Sequence, residues 1–159
     1  MSGARAAKGK THEAHHHRRV RAHDGIKAVD LLAFSPEKTL YLIEVKDYRR
    51  NRRDKTIPLV DEIILKVCWT LAALLPTGVN GANADESSLA RTFLEARKLS
   101  VVLHLEQPAT PSKLFPQLFK PADVRQKLKQ KLRSIDPHPN VVEARRMGRV
   151  AGKWSVSAD

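Results

Sequence analysis

Residues 39–45, with the sequence TLYLIEV, constrain the fold more than any other segment. They are β-branched, aromatic and almost wholly apolar, which predicts a central strand buried on both faces. The tetrapeptide before them, Ser-Pro-Glu-Lys at 35–38, has proline at the second position of a turn. Residues 26–34, which precede that turn, predict a second strand. The chain is therefore expected to build its sheet around these two strands.

Beyond these strands the pattern predicts an α/β (α+β) fold in which helices flank a mixed central β-sheet. The predicted elements are a helix over 58–75, a Gly- and Asn-rich loop over 76–85, a helix capped by Ser87 or Ser88 and ending near 98, a strand over 99–105, a basic helix from 121 to about 135, and two last strands over 140–147 and 153–156. Residues 1–10 are expected to form a flexible basic arm, and residues 11–159 a single domain.

The helix over 58–75 is apolar except for a few positions. Glu62, Lys66 and Thr70 are spaced i, i+4 and i+8, so they form one narrow polar stripe. Cys68 and Trp69 lie in the apolar remainder and are expected to be buried in the core. A helix of this composition packs in the middle of a domain.

The charge of the chain limits its partners. There are 29 Lys and Arg residues against 17 Asp and Glu, a formal net charge of +12. A protein this basic usually meets a polyanion, of which nucleic acid is the first candidate and an anionic membrane surface or packed RNA the next.

Cysteine usage and hydropathy favour a cytoplasmic protein without a membrane partner. The single cysteine excludes an internal disulfide, and the first ten residues have no hydrophobic stretch behind them of the kind that a secretory signal needs. The longest apolar run, over 63–75, contains Lys66 and is too short to cross a bilayer.

Two acids stand in otherwise apolar strands. Burying two carboxylates close together is costly, and the cost becomes tolerable if a cation holds them. If Phe34 pairs with Leu40 in an antiparallel hairpin, Asp30 lies opposite Glu44, within reach of one Mg²⁺, and Lys46 projects beside them. A register shifted by one residue would turn Asp30 away and remove the site. The structural alternative is an ion pair between Lys46 and either acid.

The spacing of these residues resembles the signature of the PD-(D/E)XK, or restriction-endonuclease-like, nucleases: Asp30, thirteen residues, then Glu44-Val45-Lys46 at a strand end. The resemblance covers mainly residues 11–75 and implies a leading helix, a hairpin, the acid-x-Lys strand and an apolar helix. It also implies that Asp30, Glu44 and the Val45 carbonyl bind Mg²⁺ or Mn²⁺. Lys46 would orient or help deprotonate the attacking water and stabilise the charged phosphorane.

Three other positions bear on this resemblance. Val29 stands where the motif name has a proline. Many members carry a further acid on the leading helix, and Glu13 is the acid available there, unless it is an ordinary exposed side chain. Lys66 is expected to pair with Glu62, with a place in the catalytic cleft as the alternative.

The loop that follows the proposed site is densely basic. Such a loop beside a phosphodiesterase centre would hold the nucleic-acid backbone, although a merely solvated loop has the same composition. The side chains expected to bind nucleic acid are Arg49, Arg50, Arg52, Arg53 and Lys55. The basic helix after Pro121 either extends this track or is a solvated surface.

These patterns predict a small metal-dependent endonuclease acting on DNA, of the kind used in defence, repair or mobile-element processing. RNA is the less favoured substrate. Two other classes remain open, namely a non-catalytic nucleic-acid-binding subunit of a larger complex and a basic RNA-associated protein. Enzymes that cut both strands usually need two sites, so a homodimer or a partner subunit is expected.

Overall fold

The computed structural model describes residues 27–50, 53–114 and 116–143. In chain order the elements are β1 (Leu31–Phe34), β2 (Thr39–Asp47), α1 (Leu59–Asn80), α2 (Ala84–Leu94), β3 (Lys98–Glu106), α3 (Pro121–Lys131) and β4 (Asn140–Val142). Several predictions fall on residues outside the described ranges. They are the basic arm, the leading helix with its Glu13, the position of Arg52, the end of the strand predicted over 140–147 and the strand predicted over 153–156.

The four strands form one mixed sheet in the order β1-β2-β3-β4. β1 pairs with β2 antiparallel, whereas β3 is parallel to both β2 and β4. Parallel neighbours need a crossover connection, which α1 and α2 provide between β2 and β3, and α3 between β3 and β4. The predicted mixed sheet with flanking helices is therefore confirmed.

The main core lies between the sheet and the helices. Leu40 and Leu42 of β2 and Leu103 of β3 pack with Ile63 of α1 and Leu128 of α3, and each of these side chains is at most 1% exposed. A smaller buried cluster on the other face of the sheet consists of Ile43, Val102 and Val142. β2 is thus buried on both faces from Thr39 to Glu44, as its composition predicted, except that Tyr41 is half-buried; Val45, which was also expected to be buried, is 41% exposed.

The first helix is longer than predicted, because α1 continues through Pro76 to Asn80 where a loop was expected. Proline removes one backbone hydrogen bond, but packing against α2 holds the rest of the helix in place. Gly78 permits that close approach, since a Cβ there would lie 3.3 Å from Leu94 of α2, and Arg91 donates to the Gly78 carbonyl.

The cap of α2 was also predicted at the wrong residue. Asn83 is the N-cap, and its side chain accepts hydrogen bonds from the amides of Asp85 and Glu86. Ser87 lies inside the helix and donates to the Gly81 carbonyl. A short polar side chain just before the first helical residue accepts hydrogen bonds from the free amides of the first turn. Asn83 has that position, and Ser87 and Ser88 come after it.

The expectation that Cys68 and Trp69 are buried is wrong. Both are exposed on α1, and Leu65 and Leu75 near them are 48% and 61% exposed. The polar stripe of α1 is the part that turns towards the sheet, so these apolar positions face outwards. Among the described helices, none is long and apolar enough to cross a membrane.

Candidate functional site

The hairpin of β1 and β2 has the register that the predicted site requires, with Phe34 opposite Leu40. Asp30 nevertheless stands one residue before β1, not inside it as predicted. Its carboxylate, rather than its backbone, binds β2, since Oδ2 accepts a hydrogen bond of 2.9 Å from the Val45 amide. This contact holds the Asp30 carboxylate at the part of β2 that carries Glu44.

Glu44 and Lys46 lie on the face of β2 that packs against α1. Alternation along the strand puts them on the same side as Leu42, which belongs to the core. Glu44 is 1% exposed, and its Oε1 lies 2.7 Å from Nζ of Lys46. The carboxylate therefore lies at the end of an apolar strand with an ammonium group directly beside it.

The polar stripe of α1 completes the cluster. Nζ of Lys66 lies 2.5 Å from Oε1 of Glu44 and 3.3 Å from Oδ1 of Asp30. One turn later, Oγ1 of Thr70 accepts a hydrogen bond from the Val29 amide at 2.9 Å, which fixes the backbone next to Asp30. The structure thus brings Asp30, Glu44 and Lys66 together, and the predicted pairing of Lys66 with Glu62 is replaced by these contacts.

Glu62 has a role that its position in the sequence did not reveal. Its Oε1 lies 2.9 Å from Nζ of Lys46 and 2.5 Å from Nζ of Lys55, and its Oε2 lies 2.8 Å from a guanidinium nitrogen of Arg53. Arg53 also donates to the Tyr48 hydroxyl and to a backbone carbonyl of the loop. Glu62 therefore ties the loop after β2, as well as Lys46, to the first turn of α1.

The charges of the cluster shift the pKa values of its members. Burial raises the pKa of the Glu44 carboxyl, against the opposing hydrogen bonds from Lys46 and Lys66. For Lys46, burial is outweighed by hydrogen bonds to Glu44 and Glu62, which raise its pKa to about 12. For Glu62, burial is outweighed by hydrogen bonds from Lys55, Lys46 and Arg53, which lower its pKa to about 2. Lys46 is thus held as a cation that donates hydrogen bonds.

One carboxylate oxygen at the end of β2 could still accept a cation. Oε2 of Glu44 is buried and has no hydrogen-bond partner among the described residues, and the Asp30 carboxylate lies close by. Within the described ranges no group of three or more His, Cys, Asp or Glu side chains is placed to hold a metal. Carboxylate oxygens are of the kind that Mg²⁺ takes as ligands, but in this structure the ammonium group of Lys66 bridges the two acids.

Most cations predicted to bind nucleic acid already have acidic partners in the chain. Arg49 contacts Asp47 at 2.6 Å, and Arg53 and Lys55 contact Glu62. Arg50 is exposed. The basic loop is therefore at least partly a structural feature of the site.

The comparisons with known proteins leave the family open. No family model matches the chain, and no solved structure matches it. A curated protein from Neisseria meningitidis serogroup A, described as a cysteine–tRNA ligase, is 33% identical over 101 residues. The match covers 58% of this chain but 14% of the ligase. Because so little of that protein is aligned, the match does not carry its activity over to this chain.

Proposed function

We propose that this chain is a metal-dependent endonuclease with a restriction-endonuclease-like core, which hydrolyses phosphodiester bonds in DNA through Asp30, Glu44 and Lys46. The observation that supports this most is the convergence of two carboxylates from separate segments at the end of β2, with the ammonium group of Lys46 2.7 Å from one of them. A buried carboxylate and an exposed one that meet beside a lysine, in a basic protein, suit catalysis of phosphodiester hydrolysis.

The carboxylates of Asp30 and Glu44, with the Val45 carbonyl, would hold Mg²⁺ or Mn²⁺. The free oxygen of Glu44 supports this assignment, because a buried carboxylate oxygen without a hydrogen bond gains most from a cation. When bound, such an ion supplies charge neutralisation at the phosphate and lowers the pKa of a water molecule.

Lys46 would act on the phosphate as a cation. Its hydrogen bonds to Glu44 and Glu62 fix the direction of the ammonium group, which can then stabilise the extra negative charge of the pentacovalent transition state. The water oxygen bonds to phosphorus and gives up one proton to solvent, the ester P–O bond breaks, and the leaving oxygen takes up a proton from solvent. The products are a phosphate monoester end and a hydroxyl end.

A second candidate is a nucleic-acid-binding subunit that does not cut. The observation in its favour is that Lys66 and Lys46 already neutralise Glu44, so the cluster is satisfied as an internal ion network. A third candidate, a basic RNA-associated protein, follows from the net charge of +12. The partial match to a tRNA ligase makes tRNA a useful RNA comparator.

The test is cleavage of supercoiled plasmid, single-stranded DNA and tRNA with Mg²⁺, with Mn²⁺ or with a chelator. Wild type is compared with Glu44→Gln and Lys46→Gln, and the matched control is Lys38→Gln, which removes a lysine from an exposed ion pair with Glu95. We expect metal-dependent cutting of DNA by wild type and the control, and none by the two site variants, all four proteins having the same circular dichroism.

Two other results would point elsewhere. Cutting by folded Glu44→Gln at the wild-type rate would refute the assignment of the site. Binding of nucleic acid without cutting under either metal would favour the non-catalytic subunit. If nicked circles accumulate before linear DNA, the two strands are cut in separate events, whereas direct linearisation indicates that two sites act together in a homodimer or with a partner.

A further inference from the structure

The third helix exposes positive charge that the site does not use. α3 is anchored by Val124 and Leu128, which are buried in the core. Asp123 is the acid of its first turn. The exposed cations of the helix and the residues flanking it are Lys120, Arg125, Lys127, Lys129, Lys131 and Arg133.

Contacts at both ends place α3 beside the site. The ring of Phe119, just before the helix, lies 5.7 Å from the ring of Tyr48, and the Tyr48 hydroxyl accepts a hydrogen bond from Arg53. At the other end, Nζ of Lys131 lies 2.5 Å from Oδ1 of Asp61, the neighbour of Glu62. The helix is therefore linked to Glu62, which holds Lys46, through the loop and through α1.

The cations of α3 fall on two flanks of the helix. Lys120, Lys127 and Lys131 are spaced i, i+7 and i+11, so they lie along one side, and the contact of Lys131 with Asp61 shows that this side adjoins α1. The other flank carries Arg125, Lys129 and Arg133, spaced i, i+4 and i+8. It adjoins β4, because Arg125 donates to the carbonyl of Pro139. We call these the α1 flank and the β4 flank.

Free charge is available on the α1 flank. The ammonium groups of Lys120 and Lys127 have no hydrogen bond or ion pair to any part of the chain that the structure describes, and the pair formed by Lys131 is an exposed one. Exposed lysines in a row can each neutralise one phosphate of a nucleic acid and release its counterion. In the loop after β2, by contrast, Arg53 and Lys55 already contact Glu62.

We infer that the α1 flank of α3, formed by Lys120, Lys127 and Lys131, contacts the phosphate backbone of duplex DNA and leads it to the cluster at the end of β2. The partner is chosen by charge complementarity, since three exposed lysines in a row, of which Lys131 is paired with Asp61, match a regularly spaced polyanion. This contact rests on the proposed function for its choice of DNA, but it is a separate surface and is tested without cleavage.

The experiment measures binding of a fluorescent DNA duplex by polarisation in the presence of a chelator, over a series of salt concentrations. The proteins are wild type, the double variant Lys120→Gln/Lys127→Gln and the matched control Lys129→Gln/Arg133→Gln, which removes the same charge from the β4 flank. Each phosphate contact contributes about 0.9 to the slope of log K against log salt. We expect the first variant to flatten that slope by about 2 and the control to leave it close to the wild-type value.

The outcomes separate the surface from the function. Equal effects of the two double variants, or no effect of either, overturn the assignment to the α1 flank, and so does an absence of DNA binding by wild type. Flank-dependent binding of tRNA without binding of duplex DNA overturns DNA as the partner. If the flank effect is found but no metal-dependent cleavage occurs, the binding surface is supported and the proposed nuclease function is refuted. If cleavage occurs without the flank effect, the nuclease function is supported and the binding surface is refuted.

Discussion

Nζ of Lys66 lies 2.5 Å from Oε1 of Glu44, and the two side chains are 10% and 1% exposed. Both charges are therefore shielded from water. Glu44 has a second cation, Lys46, at 2.7 Å, so removing Lys66 leaves the buried carboxylate with one charged hydrogen bond instead of two.

Replacement of Lys66 by methionine should destabilise the protein when no divalent metal is present. We expect a loss of about 2 kcal/mol in the free energy of unfolding, measured with urea, because Glu44 loses one of its two charged hydrogen bonds while Lys46 keeps the other. The double variant Glu44→Gln/Lys66→Met should recover much of that loss, since the buried charge is then absent. Lys38→Met, which breaks the exposed pair with Glu95, is the control and should change stability little. A double variant less stable than Lys66→Met would show that the two charges are not coupled.

The stability of the protein should fall in acid in a way that depends on Glu62. Its pKa is lowered from 4.5 to about 2 by the cations of Lys55, Lys46 and Arg53. A carboxyl group whose pKa is lower in the folded state stabilises the fold above its unfolded pKa, and that contribution is lost as the pH falls towards the folded value.

Between about pH 4.5 and about pH 2, wild type should therefore lose about 3 kcal/mol more than Glu62→Gln does. The free energies of unfolding of the two proteins, measured at several pH values in that window, check this. Parallel curves for the two proteins would mean that Glu62 is not stabilised as a carboxylate.

Divalent metal should raise the melting temperature of wild type. A ligand that binds only the folded state stabilises it by about 1.4 kcal/mol at ten times its dissociation constant. Mg²⁺ and Mn²⁺ should have this effect on wild type, and Asp30→Asn and Glu44→Gln should lose it, because both carboxylates are needed. An equal shift in Glu44→Gln would place the metal elsewhere.

Glu62 should position Lys46 without contacting the substrate. Glu62→Gln removes one of the two carboxylates that orient the ammonium group, so kcat for DNA cleavage should fall by about tenfold or more, with the reaction still metal-dependent. The control is Asp61→Asn, which changes the neighbouring acid and frees Lys131 at the surface. It should leave kcat unchanged, and any effect should appear in KM. A normal kcat in Glu62→Gln would limit Glu62 to a structural role.

The sequence was informative where geometry is local. Strand alternation placed Glu44 and Lys46 on one face, whereas the hairpin register was left as a condition that the structure meets, with Phe34 opposite Leu40. The spacing of Glu62 and Lys66 showed that they share a side of α1. It did not show which partners they meet, because that depends on how the helix docks on β2.

Long-range packing also explains the errors. Trp69 was predicted to belong to the core because the helix is apolar on most sides. The buried side of α1 instead combines the polar stripe with apolar residues such as Ile63 and Val67, and Trp69 lies outside it. Pro76 suggested the end of the helix. The helix nevertheless continues past Pro76, where Gly78 allows α2 to pack closely against it. Such outcomes depend on contacts between distant segments, which local propensity does not encode.

Pro76 divides α1 into two parts with different exchange behaviour. The part before it carries Glu62, Lys66 and Thr70, which are tied to the sheet and to the loop, whereas the turn after it ends at Asn80 beside α2. Proline leaves a gap in the backbone hydrogen bonds between them, so the last turn can open without the first turns opening. In native-state hydrogen exchange, the amides from Thr77 to Asn80 should lose protection well before the amide of Lys66. The end of α1 next to α2 can then open while the cluster at the end of β2 keeps its geometry.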